Sequence, residues 1–305
     1  MRAGIKRKIV RIMRMPSDFV TELRYLRASR ELKEKLDKNS HGDRAVLIHL
    51  YYQDMWPYFS DKINYLMQQG LDLVVILPTK DLISKDILLD YPNAFIISVP
   101  NQGRDVLPFL KIAKVLLNAK YKYILKLHSK KSPQRDDGKD WANQMITDLT
   151  LSDSNNFQEI ERAFTDNGTT AIIGPQGNYV PLTTYYNDNQ PKVAWLLTRL
   201  YNQKIAAEIT GNVPNFGFFA GTMMWLDLNN IKNILDLNLW ANNFPSETAQ
   251  LDGTTAHAIE RLLCVVPEYS KMKIYEVGKL GVKNIPYMTD YIPEWSDYHH
   301  VKKNS

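Results

Sequence analysis

The chain has 305 residues, 44% hydrophobic and 23% charged, with 38 Lys/Arg against 33 Asp/Glu for a net charge of +5. That balance excludes a disordered polymer and allows one large core or two modest ones. A single cysteine excludes an intrachain disulfide framework, no run approaches the ~20 apolar residues that cross a bilayer, and the N-terminus lacks the apolar centre of a signal peptide, so a cytoplasmic protein is expected.

In the first fifteen residues Met1, Ile5, Ile9, Ile12 and Met13 recur at helical spacing, with Arg2, Lys6, Arg7, Arg11 and Arg14 around most of the remaining circumference. Such a basic amphipathic helix suits an anionic membrane surface or a partner; a frayed, solvated end is the alternative. The basic excess is local: residues 1–44 hold thirteen Lys/Arg and six Asp/Glu, leaving the remainder slightly acidic. A second helical pattern follows Pro16-Ser17-Asp18 to about Lys38, before the turn-rich Asn39–Asp43. The predicted division is a basic helical extension over 1–43, one globular domain over 44–283 and an irregular tail over 284–305.

From Ala45 short apolar runs alternate with helical segments. Strands are predicted at Ala45–Leu50, Leu71–Leu77, Ala94–Val99, Tyr123–Leu127 and Thr170–Ile173, with helices at Trp56–Gln69 and Val106–Ala119 and a long polar helical stretch before Thr170. Gly217–Leu226 is apolar and glycine-punctuated, Leu251–Val265 reads as helix and Lys273–Val277 as a short strand. Strands that read as near-continuous Val/Ile/Leu and alternate with helices predict an α/β fold with a mostly parallel sheet covered by helices.

Ligands of such sheets bind beyond the carboxyl ends of the strands, which here are polar. The first carries His49, Tyr51 and Tyr52, the second Thr79, the third Asn101, Gly103, Arg104 and Asp105, the fourth Lys126, His128, Lys130 and Lys131. Gly103 permits close backbone approach, Asp105 can cap the next helix, and Arg104 can form a bidentate pair; a capped loop with a solvated arginine is the competing reading. The lysines concentrate donors where a diphosphate would otherwise need a metal. His128 can instead be a structural histidine or join His49 or His257 at a metal, although no metal-ligand spacing is present. A helix starting near Gly253 puts His257 and Glu260 on one face with Asp252 at its start, as an N-cap or a general base. Trp225, after Met224, is either core or support for a sugar ring. Cys264, in an apolar run, reads as a small buried hydrophobe.

Five stretches carry a resemblance: Ile48–Tyr52, Asn101–Pro108, Lys126–Ser132, Phe218–Trp225 and Gln250–Arg261. In this order they resemble the rhamnan synthesis protein F group of polysaccharide glycosyltransferases from about Ala45 to Val277. The resemblance implies inverting transfer of a deoxysugar, typically rhamnose from a dTDP-linked donor, to a lipid-linked glycan acceptor during synthesis of a bacterial cell-wall or capsular polysaccharide. The basic N-terminal helix is expected to hold such an enzyme peripherally on the inner face of the cell membrane, where other polysaccharide-assembly enzymes can be its partners. A looser similarity to GT-A glycosyltransferases places the nucleotide at the first strand ends and a metal-binding Asp-x-Asp where this chain has Lys126–Lys131, so divalent-metal dependence is doubtful and no cofactor is expected beyond the sugar-nucleotide donor. Under this reading Asp252, with Glu260 in reserve and His257 beside them, supplies the catalytic base, and Trp225 and Met224 face the acceptor. The alternative is a non-catalytic carbohydrate-binding or scaffold subunit of the same pathway. Nucleic acid is not an expected partner, because the basic charge is confined to one end and no binding signature is present.

Overall fold

The computed structural model describes residues 2–39, 42–129, 138–152, 156–165, 168–184, 186–245 and 252–285. In chain order its elements are α1 (Arg2–Asn39), β1 (Arg44–His49), α2 (Trp56–Gln68), β2 (Asp72–Pro78), α3 (Ser84–Asp90), β3 (Phe95–Val99), α4 (Val106–Asn118) and β4 (Tyr123–His128). There follow α5 (Gly138–Thr150), α6 (Phe157–Thr165), β5 (Thr170–Pro175), β6 (Tyr179–Pro181), α7 (Gln190–Leu200), α8 (Gln203–Gly211), β7 (Gly217–Phe219) and β8 (Met224–Asp227). The short α9 (Lys232–Leu235), α10 (Thr255–Tyr269), β9 (Lys273–Gly278) and β10 (Gly281–Asn284) complete the described chain.

Eight strands form one sheet in the order β10-β9-β5-β8-β4-β1-β2-β3. The β4-β1-β2-β3 half is parallel, as is β5 with β9, whereas β8 and β10 run antiparallel to their neighbours. The α/β fold class with a mostly parallel, helix-covered sheet is therefore as the sequence predicts. Its physical basis is visible in β1: Ala45 and Leu47 point into the core layer shared with α1, α4 and α10, while Val46 and Ile48 point into the layer shared with α2, α5 and α6. Both faces are dry, so an alternating polar pattern is absent.

The two helices predicted on either side of Pro16 are one. The helix α1 continues through that position, forgoing the one backbone hydrogen bond that proline cannot donate. Beyond it Tyr25, Ala28, Leu32 and Leu36 recur at three- and four-residue steps and are buried, packing against β3 and α4. The faces predicted for residues 1–15 lie outside the described side chains. At the end of the described chain Gly281–Asn284 pairs with β9 as a hairpin; its four residues are too few to show periodicity.

Candidate active site

The strand order reverses at β1: β2 lies on one side of it and β4 on the other. In open α/β sheets this switch point leaves a crevice at the strands' carboxyl ends. Here the two strands end in register on a histidine pair, His49 opposite His128. The loops that follow are tied together, because Ser129 donates its N–H to the His49 carbonyl at 2.9 Å and the Tyr52 N–H donates to Ser129 Oγ at 2.8 Å. Tyr51, exposed, meets Tyr52 edge to face at 5.1 Å. Thr79 Oγ1 donates to the Val99 carbonyl at 3.3 Å, bridging the ends of β2 and β3.

The Asn101–Asp105 loop enters this crevice from β3. Gly103 has φ 74°, and a Cβ there would lie 2.5 Å from that of Leu107, so the tight turn requires glycine. Arg104 follows at φ 55°, a left-handed conformation costly for a residue with a side chain. Asp105 sits at the N-cap position of α4, but its carboxylate does not cap the helix as predicted. It turns inward to accept from Lys126 Nζ at 2.5 Å and Thr222 Oγ1 at 2.8 Å, with His128 Nδ1 at 3.4 Å. Burial alone would raise its pKa; His128, Lys126 and His49 outweigh burial and hold the carboxyl well below the usual carboxylate range.

Lys126 is buried, and its ammonium also donates to the Thr222 carbonyl at 2.6 Å. The expectation that it binds a diphosphate directly is corrected, since its ammonium is buried and held between Asp105 and the Thr222 carbonyl. The physical reason is its position inside the strand, where both sheet faces are covered. Lys130 and Lys131 lie outside the described residues.

Burial pushes His49 down to about 4, with Lys126 adding to the effect and Asp105 opposing it. Between that value and its ordinary 6.5 the unfolded chain takes up a proton that the native state refuses, so His49's contribution is complete above pH 6.5 and is lost as pH falls towards 4. The His49 share of the loss between pH 7 and 5 is about 2 kcal/mol. Glu268 acts in the opposite sense, because burial raises its carboxyl to about 7. The measurement is therefore a difference: urea unfolding at both pH values should show the native chain losing about 2 kcal/mol more than His49→Gln, with Glu268 common to both. Equal losses would remove His49 from the buried network.

The second cluster is built on α10. Its N-cap is Thr254, whose Oγ1 accepts from the His257 N–H at 3.4 Å, so the helix starts later than predicted and Asp252 is not the cap. Asp252 Oδ1 instead accepts from Asn189 Nδ2 at 2.7 Å and the Gly253 N–H at 2.9 Å, and Oδ2 faces Arg261 Nη2 at 3.4 Å. Arg104 Nη1 lies 2.8 Å from His257 Nε2. A guanidinium can only donate, so Nε2 must carry the lone pair and the proton of the neutral ring is on Nδ1. That proton faces Thr254 Oγ1 at 3.0 Å and Asp252 Oδ1 at 3.5 Å; the Thr254 N–H, 3.3 Å from the same nitrogen, competes for it, and the shorter Arg104 contact favours this tautomer. Burial first, then Arg104, pushes His257 down to about 4, keeping it neutral at pH 7. Glu260 accepts from the Gly221 N–H at 2.8 Å and from Arg261 Nη1 at 3.3 Å.

The two clusters are thus one network. Arg104 joins the β3 loop to His257, and the Gly221-Thr222 turn joins Glu260 to Asp105 and Lys126. The structure brings together His49, Arg104, Asp105, Lys126, His128, Asp252, His257 and Glu260, which are far apart in sequence. It sets Trp225 and Met224 apart from them: both are fully buried on the interior strand β8, and the Trp225 indole N–H donates to the Leu149 carbonyl at 2.9 Å. Their predicted contact with an acceptor is corrected to a packing role. Thr222, Arg261 and Asn189 are network members that the sequence reading missed. Thr222 is flagged only by the Gly-Thr pair, Arg261 stands next to Glu260 in sequence, and Asn189 has no local signal.

Among the described residues no group of three or more His, Cys, Asp or Glu is placed to hold a metal ion, and Asp136 and Asp137 lie outside them. Cys264 is buried, and burial raises its thiol pKa, as suits a packing residue. No described helix is long and apolar enough to cross a membrane.

A family profile described as rhamnan synthesis protein F matches residues 4–272. Two curated relatives, each described as uncharacterized protein WxcX and found in two strains of Xanthomonas campestris pv. campestris, are 31% identical over 253 residues. The match covers 81% of this chain and 34% of theirs, so the chain spans about a third of the relatives' length. No solved structure matches.

Proposed function

Because the chain belongs to the rhamnan synthesis protein F family, we propose that it is an inverting glycosyltransferase that moves a deoxysugar, rhamnose from a dTDP-linked donor in the first instance, to a lipid-linked glycan at the cytoplasmic face of the membrane. The observation that carries this reading is the position of the network: a carboxylate, an arginine and three histidines converge at the topological switch of a parallel sheet, where nucleotides bind.

In this proposal Tyr51, Tyr52 and Thr79 border the base and ribose, and Asn101 and the Gly103 turn let the backbone approach the donor. Arg104 engages the diphosphate, with Lys130 and Lys131 as further cations. Asp105 and Lys126 hold the two strand ends in place. Once Arg104 turns to the diphosphate, His257 Nε2 loses its donor and the positive charge beside it, so its basicity rises. Asp252 steadies the Nδ1–H. The imidazole then takes the proton of the acceptor hydroxyl as that oxygen attacks the anomeric carbon, the bond to the diphosphate oxygen breaks, and the nucleoside diphosphate leaves with its charge held by Arg104.

The purified chain, given dTDP-rhamnose and membranes carrying lipid-linked glycan, is expected to release dTDP in EDTA as in its absence, because the sequence after β4 runs Ser129-Lys130-Lys131 where carboxylate ligands would be expected. Glycan binding with no dTDP release under any condition would identify the non-catalytic subunit instead. Release abolished by EDTA and restored by manganese would put a metal on residues such as Asp136 or Asp137.

A further inference from the structure

The helix α1 has two apolar faces, and only one of them is covered. Phe19, Val20, Leu23 and Leu26 are 54%, 48%, 48% and 52% exposed, at steps of one, three and three residues on the side opposite Tyr25, Leu32 and Leu36. Four of the ten exposed large hydrophobics among the described residues are gathered on this one helix, so the face is a patch and not scatter. In the sequence the same seven-residue step runs Ile5, Ile12, Phe19, Leu26.

Charge decides what covers it. Arg24, Arg27 and Arg30 are exposed along its flank, Arg30 paired with Glu34 one turn on at 2.9 Å, whereas Glu22 is turned into the core, paired with Lys111 and accepting from the Ala241 N–H at 3.0 Å. A second copy laid against this face would oppose arginine to arginine, while anionic headgroups complement the arginines and acyl chains take the leucines.

The same turns of α1 grip the site loop. Tyr25 Oη lies 2.9 and 3.0 Å from the carbonyls of Pro100 and Gln102, and Gln102 Nε2 donates to Asp18 at 3.3 Å and the Ala241 carbonyl at 2.6 Å. We propose that the outward face of α1 at Phe19, Val20, Leu23 and Leu26 docks on anionic lipid, setting the Asn101–Asp105 loop one helix diameter, ~10 Å, from the bilayer surface. The functional sense of this placement, delivery of a membrane-embedded acceptor, rests on the glycosyl-transfer reading; the docking itself does not.

The test is cosedimentation of the full chain, without donor or acceptor, with vesicles of equal parts phosphatidylglycerol and phosphatidylcholine and with phosphatidylcholine alone. Binding to the anionic vesicles is expected, reduced by at least about tenfold in the Leu23→Glu/Leu26→Glu variant and also in an Arg24→Gln/Arg27→Gln/Arg30→Gln variant, which leaves the apolar face intact should the first fail to fold. Undiminished binding by the folded variants, equal binding to neutral vesicles, or no binding at all would overturn the proposal. So would concentration-dependent self-association of the native chain that the leucine variant abolishes, since that assigns the face to a second copy. Donor affinity measured on the same variants should be unchanged, which separates failure of docking from failure of the proposed activity.

Discussion

Asp105→Asn is expected to cost about 3–5 kcal/mol of folding stability, the effect of leaving a buried charge without its partner. The side chain accepts from Lys126 and Thr222 and faces His128 where β1 and β4 meet. Neutralising it leaves the buried Lys126 ammonium with no counter-charge, only the neutral Thr222 carbonyl and the asparagine amide oxygen to accept from it. Because the carboxyl is held well below its ordinary value, its stabilisation is present throughout the neutral range and is lost only as pH falls below the ordinary carboxylate value of ~3.9. Urea unfolding at pH 7 measures the loss. The double variant Asp105→Asn/Lys126→Met should recover most of it, because removing both charges removes the unpaired one. A single variant within about 1 kcal/mol of the native chain would mean that the pair is not a buried charge network.

The second large effect is kinetic. Asp252→Asn and His257→Gln are each expected to lower transfer by about 10²–10⁴-fold, the usual cost of losing general-base catalysis, with little change in donor affinity. Asparagine retains an acceptor for Asn189 and Gly253, and glutamine retains one for Arg104, so both replacements preserve shape. Combining them should cost little more than either alone, because groups that act as a unit are not additive. Glu260→Gln keeps the acceptor for the Gly221 N–H and should stay within about tenfold of native. Normal transfer by Asp252→Asn with an inactive Glu260→Gln would move the base to Glu260, and full activity in all three would remove α10 from the chemistry.

Much of this architecture is legible before folding. The strands that predict themselves are those buried on both sides, such as β1 and β2, where Val, Ile and Leu run nearly uninterrupted, and β4, whose Ile124-Leu125 and Leu127 flank a single buried lysine. Less visible are α7 and α8, whose polar residues dilute the helical pattern, and the three-residue β6 and β7, which are shorter than any periodicity. For the site, strand-end position finds His49, Arg104, Asp105 and His128, because in a parallel sheet chemistry collects where the backbone emerges. The same rule misreads Lys126, which stands two residues before the end of β4, on the face of His128, and reaches Asp105 from inside the strand. Trp225 misleads in another way: nothing in the sequence says that β8 inserts antiparallel between β4 and β5, and that insertion buries it. The Arg104–His257 contact spans 153 positions and has no local signature. It is a product of tertiary packing, as is the hold of Asn189 on Asp252.

The central claim is that a sugar nucleotide binds at the β1/β4 switch through Arg104. Its most direct test is the melting temperature of the native chain and of Arg104→Ala during titration with dTDP-rhamnose. A saturable rise is expected for the native chain, equivalent to about 2.7 kcal/mol at a hundredfold excess over Kd, with Arg104→Ala requiring at least about tenfold more ligand. No rise with dTDP-rhamnose or any other nucleoside diphosphate sugar, or the same titration curve for both proteins, would contradict it.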